Sequence, residues 1–182
     1  MTIIGIDYSL SCPAICIMEQ PDIQHVQFYY LTTVKKDTGV FANGRIVGTL
    51  HSDYYSEEER YDQIAEFFLS KFPLNPVPIC FIEDYSFGSK GRVFHIAENC
   101  GLLKHKIWEF GFKQHVVAPT VIKKFATGKG NADKEKMVEA FIAETKLDLQ
   151  KLLFPNKKLG SPVTDIVDSY YIAKYGYEYI TT

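Results

Sequence analysis

The sequence contains no run of about 18 apolar residues, the length a helix needs to cross a bilayer, so no membrane span is expected. Its opening has no basic stretch ahead of an apolar one, so no signal peptide is expected either, and the chain reads as soluble and intracellular. Cysteine is scarce. Cys12, Cys16, Cys80 and Cys100 lie in apolar or helical stretches without CxxC spacing, which points to buried thiols and away from a zinc site or disulfides. Repeats, low-complexity tracts and a dividing linker are all missing. With 182 residues, 46% of them hydrophobic, the chain can bury one good core, and a single domain over residues 1–182 is expected. An overall excess of positive charge is lacking too, since the formal net charge is −2.

That balance hides a strong asymmetry. Residues 1–87 hold 5 Lys/Arg against 12 Asp/Glu, residues 88–136 hold 10 against 4, and residues 137–182 hold 5 against 6. The basic middle third, with Lys90, Arg92, Lys104, Lys106, Lys123, Lys124, Lys129 and Lys134 among its cations, supplies a local field that attracts a phosphate backbone. For any one of these lysines the ordinary alternative is a solvated helix face.

Four acids stand out by position. Asp7 closes the apolar run Thr2-Ile3-Ile4-Gly5-Ile6, and Glu83 closes Pro78-Ile79-Cys80-Phe81-Ile82; both runs read as strands ending in a carboxylate. Asp165 and Asp168 lie three apart in Ser161 to Ala173, an expected helix whose spacing puts both on one face. Singly, each has a plain explanation as a turn or first-turn helix acid. Gathered without basic partners they repel, and hard oxygen donors of this kind suit magnesium or manganese. Two such ions roughly 3.5–4 Å apart are a recurrent device for hydrolysing phosphodiesters.

The rest of the chain fits around these ends. Residues 2–8, 13–18 and 25–34 read as an antiparallel meander of three strands. Tyr54 to Phe72 reads as a helix, with Tyr61, Ile64, Ala65, Phe68 and Leu69 on its apolar face and Pro73, Pro76 and Pro78 beyond its end. Arg92 to Phe110 is a second helix stopped by Gly111, and His115 to Ala118 a short strand leading into a helix from Pro119 to Ala126. Asn131 is placed to cap a helix running to about Thr145. Such an order implies an α/β fold with a mixed sheet covered on both faces. Residues 35–56 are open between an insertion, a hairpin turning at Asn43-Gly44 and a flexible loop; Lys35, Lys36 and Arg45 are its candidate DNA contacts.

The motifs Gly5-Ile6-Asp7-Tyr8-Ser9, Ile82-Glu83-Asp84-Tyr85-Ser86-Phe87-Gly88-Ser89-Lys90, Val121-Ile122-Lys123-Lys124 leading to Gly128-Lys129-Gly130-Asn131-Ala132-Asp133-Lys134, and Asp165-Ile166-Val167-Asp168-Ser169 occur in that order over nearly the whole chain. In this the chain resembles the RuvC-like Holliday junction resolvases, phage-encoded versions above all, a branch of the ribonuclease H-like superfamily. It departs from the commoner bacterial pattern, which has Pro-Gly after the first Asp, and residues 35–56 match no motif. The resemblance implies a three-stranded antiparallel meander extended by parallel strands, with helices on both faces. It implies a crossover junction endodeoxyribonuclease that holds Mg2+ or Mn2+, two per site, on Asp7, Glu83, Asp165 and Asp168. A homodimer would make paired nicks in a four-way junction and leave 5′-phosphates, in a bacterial or phage-infected cytoplasm.

Lys123 and Lys134 fall where the family places basic residues near the scissile phosphate, where a cation stabilises developing charge. Tyr85 and Phe87 fall in the loop where the family carries an aromatic wedge. Stacked on unpaired bases they would be worth roughly 1–3 kcal/mol each, whereas the alternative is that one packs beneath the loop. Lys90, Arg92, Lys104, Lys106, Lys124 and Lys129 complete the expected DNA contacts. Asp84 points to the opposite face if the strand continues through it, and is read as an accessory or structural acid. The helix from Arg92 offers Ile96, Leu103, Ile107 and Phe110 either to a second copy or to the core. Two rival functions remain: a junction-binding protein without catalysis, which would not need four acids, and another ribonuclease H-like nuclease acting on RNA–DNA hybrid or as a transposase. A sugar-kinase or actin-like ATPase would need a second domain and Gly-rich adenosine loops, which the chain lacks.

Overall fold

Strand β1 (Ile3–Asp7) runs through the middle of the sheet, and the geometry of the site follows from it. The computed structural model describes residues 1–84 and 93–182. With β2 (Ala14–Met18) and β3 (Val26–Thr32), β1 forms the expected antiparallel meander, Ile3 facing Met18 and Ala14 facing Tyr30. The segment left open between hairpin and loop is a hairpin: β4 (Gly39–Phe41) pairs antiparallel with β5 (Ile46–Leu50), and β5 lies parallel to β3. Its turn passes through Ala42, Asn43 and Gly44, all with positive φ, a conformation that Asn and Gly accept most easily. On the other side of β1, β6 (Ile79–Glu83) and then β7 (Lys113–Val117) add in parallel. Among the described residues the seven strands are ordered β4-β5-β3-β2-β1-β6-β7.

Both faces of the sheet are covered, which is why its central strands are apolar throughout and do not alternate with polar residues. Ile3, Phe28, Tyr30 and Phe81 belong to one core, while Ile4, Ile6, Ile15 and Leu31 belong to the other, as the pleat requires. Helix α1 (Glu57–Leu69) packs Ile64 and Phe68 on the second face, and α2 (Val93–Glu109) adds Leu103 and Ile107 beside them. Full burial of a side chain such as Phe68 stabilises the fold by roughly 1.5–3 kcal/mol. The first face is covered by α3 (Pro119–Thr127), α4 (Lys134–Thr145), the short α5 (Leu149–Leu153) and α6 (Val163–Thr181), which contribute Ile122, Phe141, Leu149, Ile166 and Tyr170.

Helix ends follow local chemistry. Ser56 accepts from the Glu59 amide at the start of α1, where three glutamates lie in the first turn. Gly111, at φ 75°, closes α2, and Gly128, at φ 78°, closes α3. The expected cap of α4 is corrected: Asp133, not Asn131, accepts from the Lys136 amide at 2.9 Å. Asn131 instead lies in the turn formed when the Ala132 amide donates to the Lys129 carbonyl. The last helix runs on to Thr181, beyond the expected Ala173, and α5 was not expected at all.

The crossing of α6 over β1 places the acids. A Cβ at Gly5 would lie 2.3 Å from both the Ala173 amide nitrogen and the Ser169 carbonyl oxygen, so only glycine lets the helix backbone settle onto the strand there. Gly176 does the same for the Phe81 ring of β6, with 2.4 Å to its nearest atom. The preceding turn of α6, carrying Asp165 and Asp168, is thereby brought to the end of β1 where Asp7 stands. All four cysteines are free and buried.

A candidate active site at the carboxyl ends of the central strands

Parallel pairing of β1 with β6 sets Ile6 beside Ile82, which brings Asp7 and Glu83 to the same end of the sheet. Asp7 follows Ile3 and Gly5 in alternation, and Glu83 follows Ile79 and Phe81, so both acids point toward α6. Asp165 and Asp168 meet them from the first turns of that helix. The four carboxylates line one cleft of about 590 Å³, together with Lys123 of α3 and Lys134 at the start of α4. All six residues that the sequence assigns to catalysis are therefore in one place.

The electrostatics of the cleft are those of crowded anions. Burial pushes Asp7 well above the usual carboxylate range, and the charges of Asp165, Asp168 and Glu83 push it further, against the opposing pull of Lys134. Glu83 is pushed up to about 7 by burial and by Asp168, with Lys123 and Lys134 working against the rise. Asp168 reaches about 6, again chiefly through burial. Asp165 is raised by burial, while the nearby Ser161 hydroxyl, Lys134 and the Cys12 thiol pull it back. Asp165 is only 5% exposed, and its Oδ2 has no hydrogen-bond partner. Lys134 stands beside them, with Nζ donating to Thr164 Oγ1 at 3.3 Å and lying 4.0 Å from Asp165 Oδ1.

Such a donor set fits a hard divalent cation. Four carboxylates face one space, burial raises all four, and Asp165 Oδ2 is buried without a partner; each feature is relieved by positive charge. Among the described residues no three of these groups stand close enough together to hold an ion as they are placed.

Several cleft residues carried no functional reading in the sequence. Arg60 of α1 is buried and donates from Nη2 to the Leu10 carbonyl at 2.8 Å, while Nη1 stands 3.5 Å from Glu57. It thereby holds the loop that follows Asp7, helped by the Ser9 hydroxyl, which accepts from the Cys12 amide at 3.1 Å. The available signal was an arginine in register with Ile64 and Phe68 on an apolar helical face. Tyr8, where the commoner motif has proline, is buried against Phe68 with its hydroxyl unpartnered.

The expected DNA contacts separate. Lys124 and Lys129 are exposed near the cleft-lining Lys123, at the α3 end of the α3–α4 connection. Lys104 of α2 stands 4.0 Å from Asp84, and this acid also lines the cleft beside Glu83. Lys106 is tied to α1 by Asp62, at 2.8 Å, and by Glu66, so its charge is matched within the protein. Arg45 donates to the Ile23 carbonyl at 2.8 Å and braces the hairpin. Tyr85, Phe87, Lys90 and Arg92 lie outside the described residues. Of the stripe offered to a second copy, Leu103 and Ile107 are fully buried in the core. The apolar side chains that α2 leaves exposed are Phe94 and Trp108, with Phe110 just beyond its end. His115 stacks on Phe81 at 4.8 Å and is structural.

No protein-family model matches the chain, and no curated protein sequence matches it. Solved structures do. RuvC of Thermus thermophilus superposes with a TM-score of 0.63 over 100% of this chain and 96% of its own, at 17% identity. The same protein in complex with Holliday junction substrate gives 0.64 over 99% and 94%, at 16% identity. The fowlpox virus resolvase bound to substrate Holliday junction DNA gives 0.57 over 100% of both chains, at 15% identity. The structural neighbours of this chain are thus Holliday junction resolvases, and its fold is the mixed ribonuclease H-like sheet that the motifs implied. No helix among the described residues is long and apolar enough to cross a membrane.

Proposed function

We propose that this protein is a structure-specific DNA endonuclease that resolves four-way junctions, using Mg2+ or Mn2+ held by Asp7, Glu83, Asp165 and Asp168. The observation that carries the reading is the set of four mutually repelling carboxylates on one cleft, two of them raised to about 6 and 7, at the strand ends of a resolvase fold. A protein that only held DNA would gain nothing from an anionic cleft facing phosphates. When bound, a pair of such ions activates water and neutralises charge on the leaving oxygen.

The chain's own groups do the rest. The four acids would hold the cations, and so face the scissile phosphate across them. Lys134 and Lys123 line the cleft and offer positive charge to the non-bridging oxygens of the pentacoordinate phosphorus formed during attack. Lys124 and Lys129 hold an arm of the junction by its backbone. Arg60 braces the loop after Asp7 through the Leu10 carbonyl. A four-way junction is two-fold symmetric, so a homodimer would present two such clefts and make paired nicks that leave 5′-phosphates. With Leu103 and Ile107 committed to the core, Phe94, Trp108 and Phe110 are what this side of the molecule offers to a second copy.

The test is a substrate panel of synthetic four-way junction, fork, linear duplex and RNA–DNA hybrid, each with Mg2+ and with EDTA. Preferential cutting of the junction, only with metal, is expected. Preferential cutting of the hybrid would move the protein to the ribonuclease H class.

A further inference from the structure

The hairpin segment takes no part in the cleft, yet the turn leading into it carries a buried acid. Asp37 is 2% exposed and lies between β3 and β4. Its backbone carbonyl accepts from the Tyr30 hydroxyl at 2.6 Å, and its carboxylate accepts from Lys157 Nζ. Lys157 belongs to the loop between α5 and α6, 120 residues further along the chain. The same ammonium donates to the Ser161 carbonyl at 2.8 Å and lies over the Phe154 ring at 5.3 Å. Phe154 in turn packs edge-on against Phe41 of β4, with centroids 6.1 Å apart.

Ser161 is four residues before Asp165, and its hydroxyl is one of the groups beside that carboxylate. Helix α6 begins at Val163, so the Ser161 carbonyl is fixed just before the turn that presents Asp165. A buried carboxylate is expensive to leave unpaired, so Asp37 and Lys157 hold each other strongly. One end of this tie is the hairpin, the other the start of the acid-bearing helix.

We propose that the Asp37–Lys157 pair is a positioning device for the nuclease centre: through the Ser161 carbonyl it sets where α6 begins, and hence where Asp165 stands among the other three acids. The inference rests on the metal centre proposed above. It gives the hairpin a function, since the segment without a counterpart in the motifs supplies the anchor for one of the ligand carboxylates.

The test is Mn2+ binding to the DNA-free protein by calorimetry, beside thermal melts and junction binding in EDTA. Asp37→Asn and Lys157→Met are expected to weaken Mn2+ binding by about tenfold or more, the usual consequence of removing a partner that orients a ligand. Lys157→Arg should restore most of the affinity, and junction binding in EDTA should be unchanged in all three. If Lys157→Met does not fold, the isosteric Asp37→Asn carries the comparison. Tyr30→Phe, which frees only the Asp37 carbonyl, should lower the melting temperature and leave Mn2+ affinity as it was. Wild-type Mn2+ affinity in the folded Asp37→Asn variant would overturn the inference, as would an equal loss in Tyr30→Phe. A wild-type protein that takes up no Mn2+ would overturn the metal centre itself, and the positioning role with it.

Discussion

Replacing Glu83 with Gln should make the metal-free protein more stable at pH 8, although it removes an acid assigned to the reaction. The carboxyl titrates at about 7 in the folded chain, against an ordinary value of 4.5. A raised acid is neutral-favoured in the fold. Below pH 4.5 both folded and unfolded chains carry the proton and stability is unaffected. Between pH 4.5 and 7 the unfolded chain has lost its proton while the folded one keeps it, so stability falls as pH rises, and above 7 the full penalty is present. At 1.36 kcal/mol for each tenfold change in proton affinity, that penalty is about 3 kcal/mol, a ceiling because part of it is shared with Asp168. Gln keeps the shape and removes the charge. Urea denaturation at pH 5 and pH 8 in EDTA should show a gain of about 1–3 kcal/mol for Glu83→Gln at pH 8 and little at pH 5. Saturating Mg2+ should reverse the order, since the wild type binds it better. A variant less stable than wild type at pH 8 in EDTA, or one with the same gain at both pH values, would refute the picture of an anionic cleft waiting for cations.

Three further outcomes follow from the same geometry. Cleavage should rise with pH through about 6 to 7 as Asp168 and Glu83 ionise, and higher Mg2+ should move that rise to lower pH; a rate flat from pH 5 to 8 under single-turnover conditions contradicts it. Lys124→Ala combined with Lys129→Ala should reduce the slope of log affinity against log salt by about 2, at roughly 0.9 per phosphate contact, while Lys106→Ala leaves the slope alone and instead lowers stability. Gly5→Ala should fail to accumulate as folded protein, because its Cβ would lie 2.3 Å from backbone atoms of α6; a normal melting curve would mean that the helix does not rest on β1 as described.

The four acids of the cleft were legible from sequence because each stands at the end of an element with a clear pattern: two apolar runs that stop at Asp7 and Glu83, and an i,i+3 pair on a helix. The meander and the major helices were legible for the same reason, within a few residues at their ends save for α6, which runs well past its expected end at Ala173. Less visible was anything decided by tertiary partners. Lys106 looked like a DNA contact because sequence shows its charge but not Asp62 and Glu66 across the interhelical gap. Leu103 and Ile107 could face a second copy or the core until α1 was seen to cover them. Arg60 gave a signal as a cation in an apolar register, yet its partner is a backbone carbonyl 50 residues away, which no local pattern reveals. Asp37 and Lys157 are more distant still, and each alone reads as a surface charge.

The central claim is tested most directly by one assay: a synthetic four-way junction, labelled on two opposite strands, incubated at pH 8 with wild type and with Asp7→Asn, each in Mg2+ and in EDTA. Paired nicks with 5′-phosphate ends are expected only from wild type in Mg2+, with Asp7→Asn still binding the junction as tightly or more so once a charge facing the phosphates is gone. Cutting by Asp7→Asn at the wild-type rate, or by wild type in EDTA, would contradict the account.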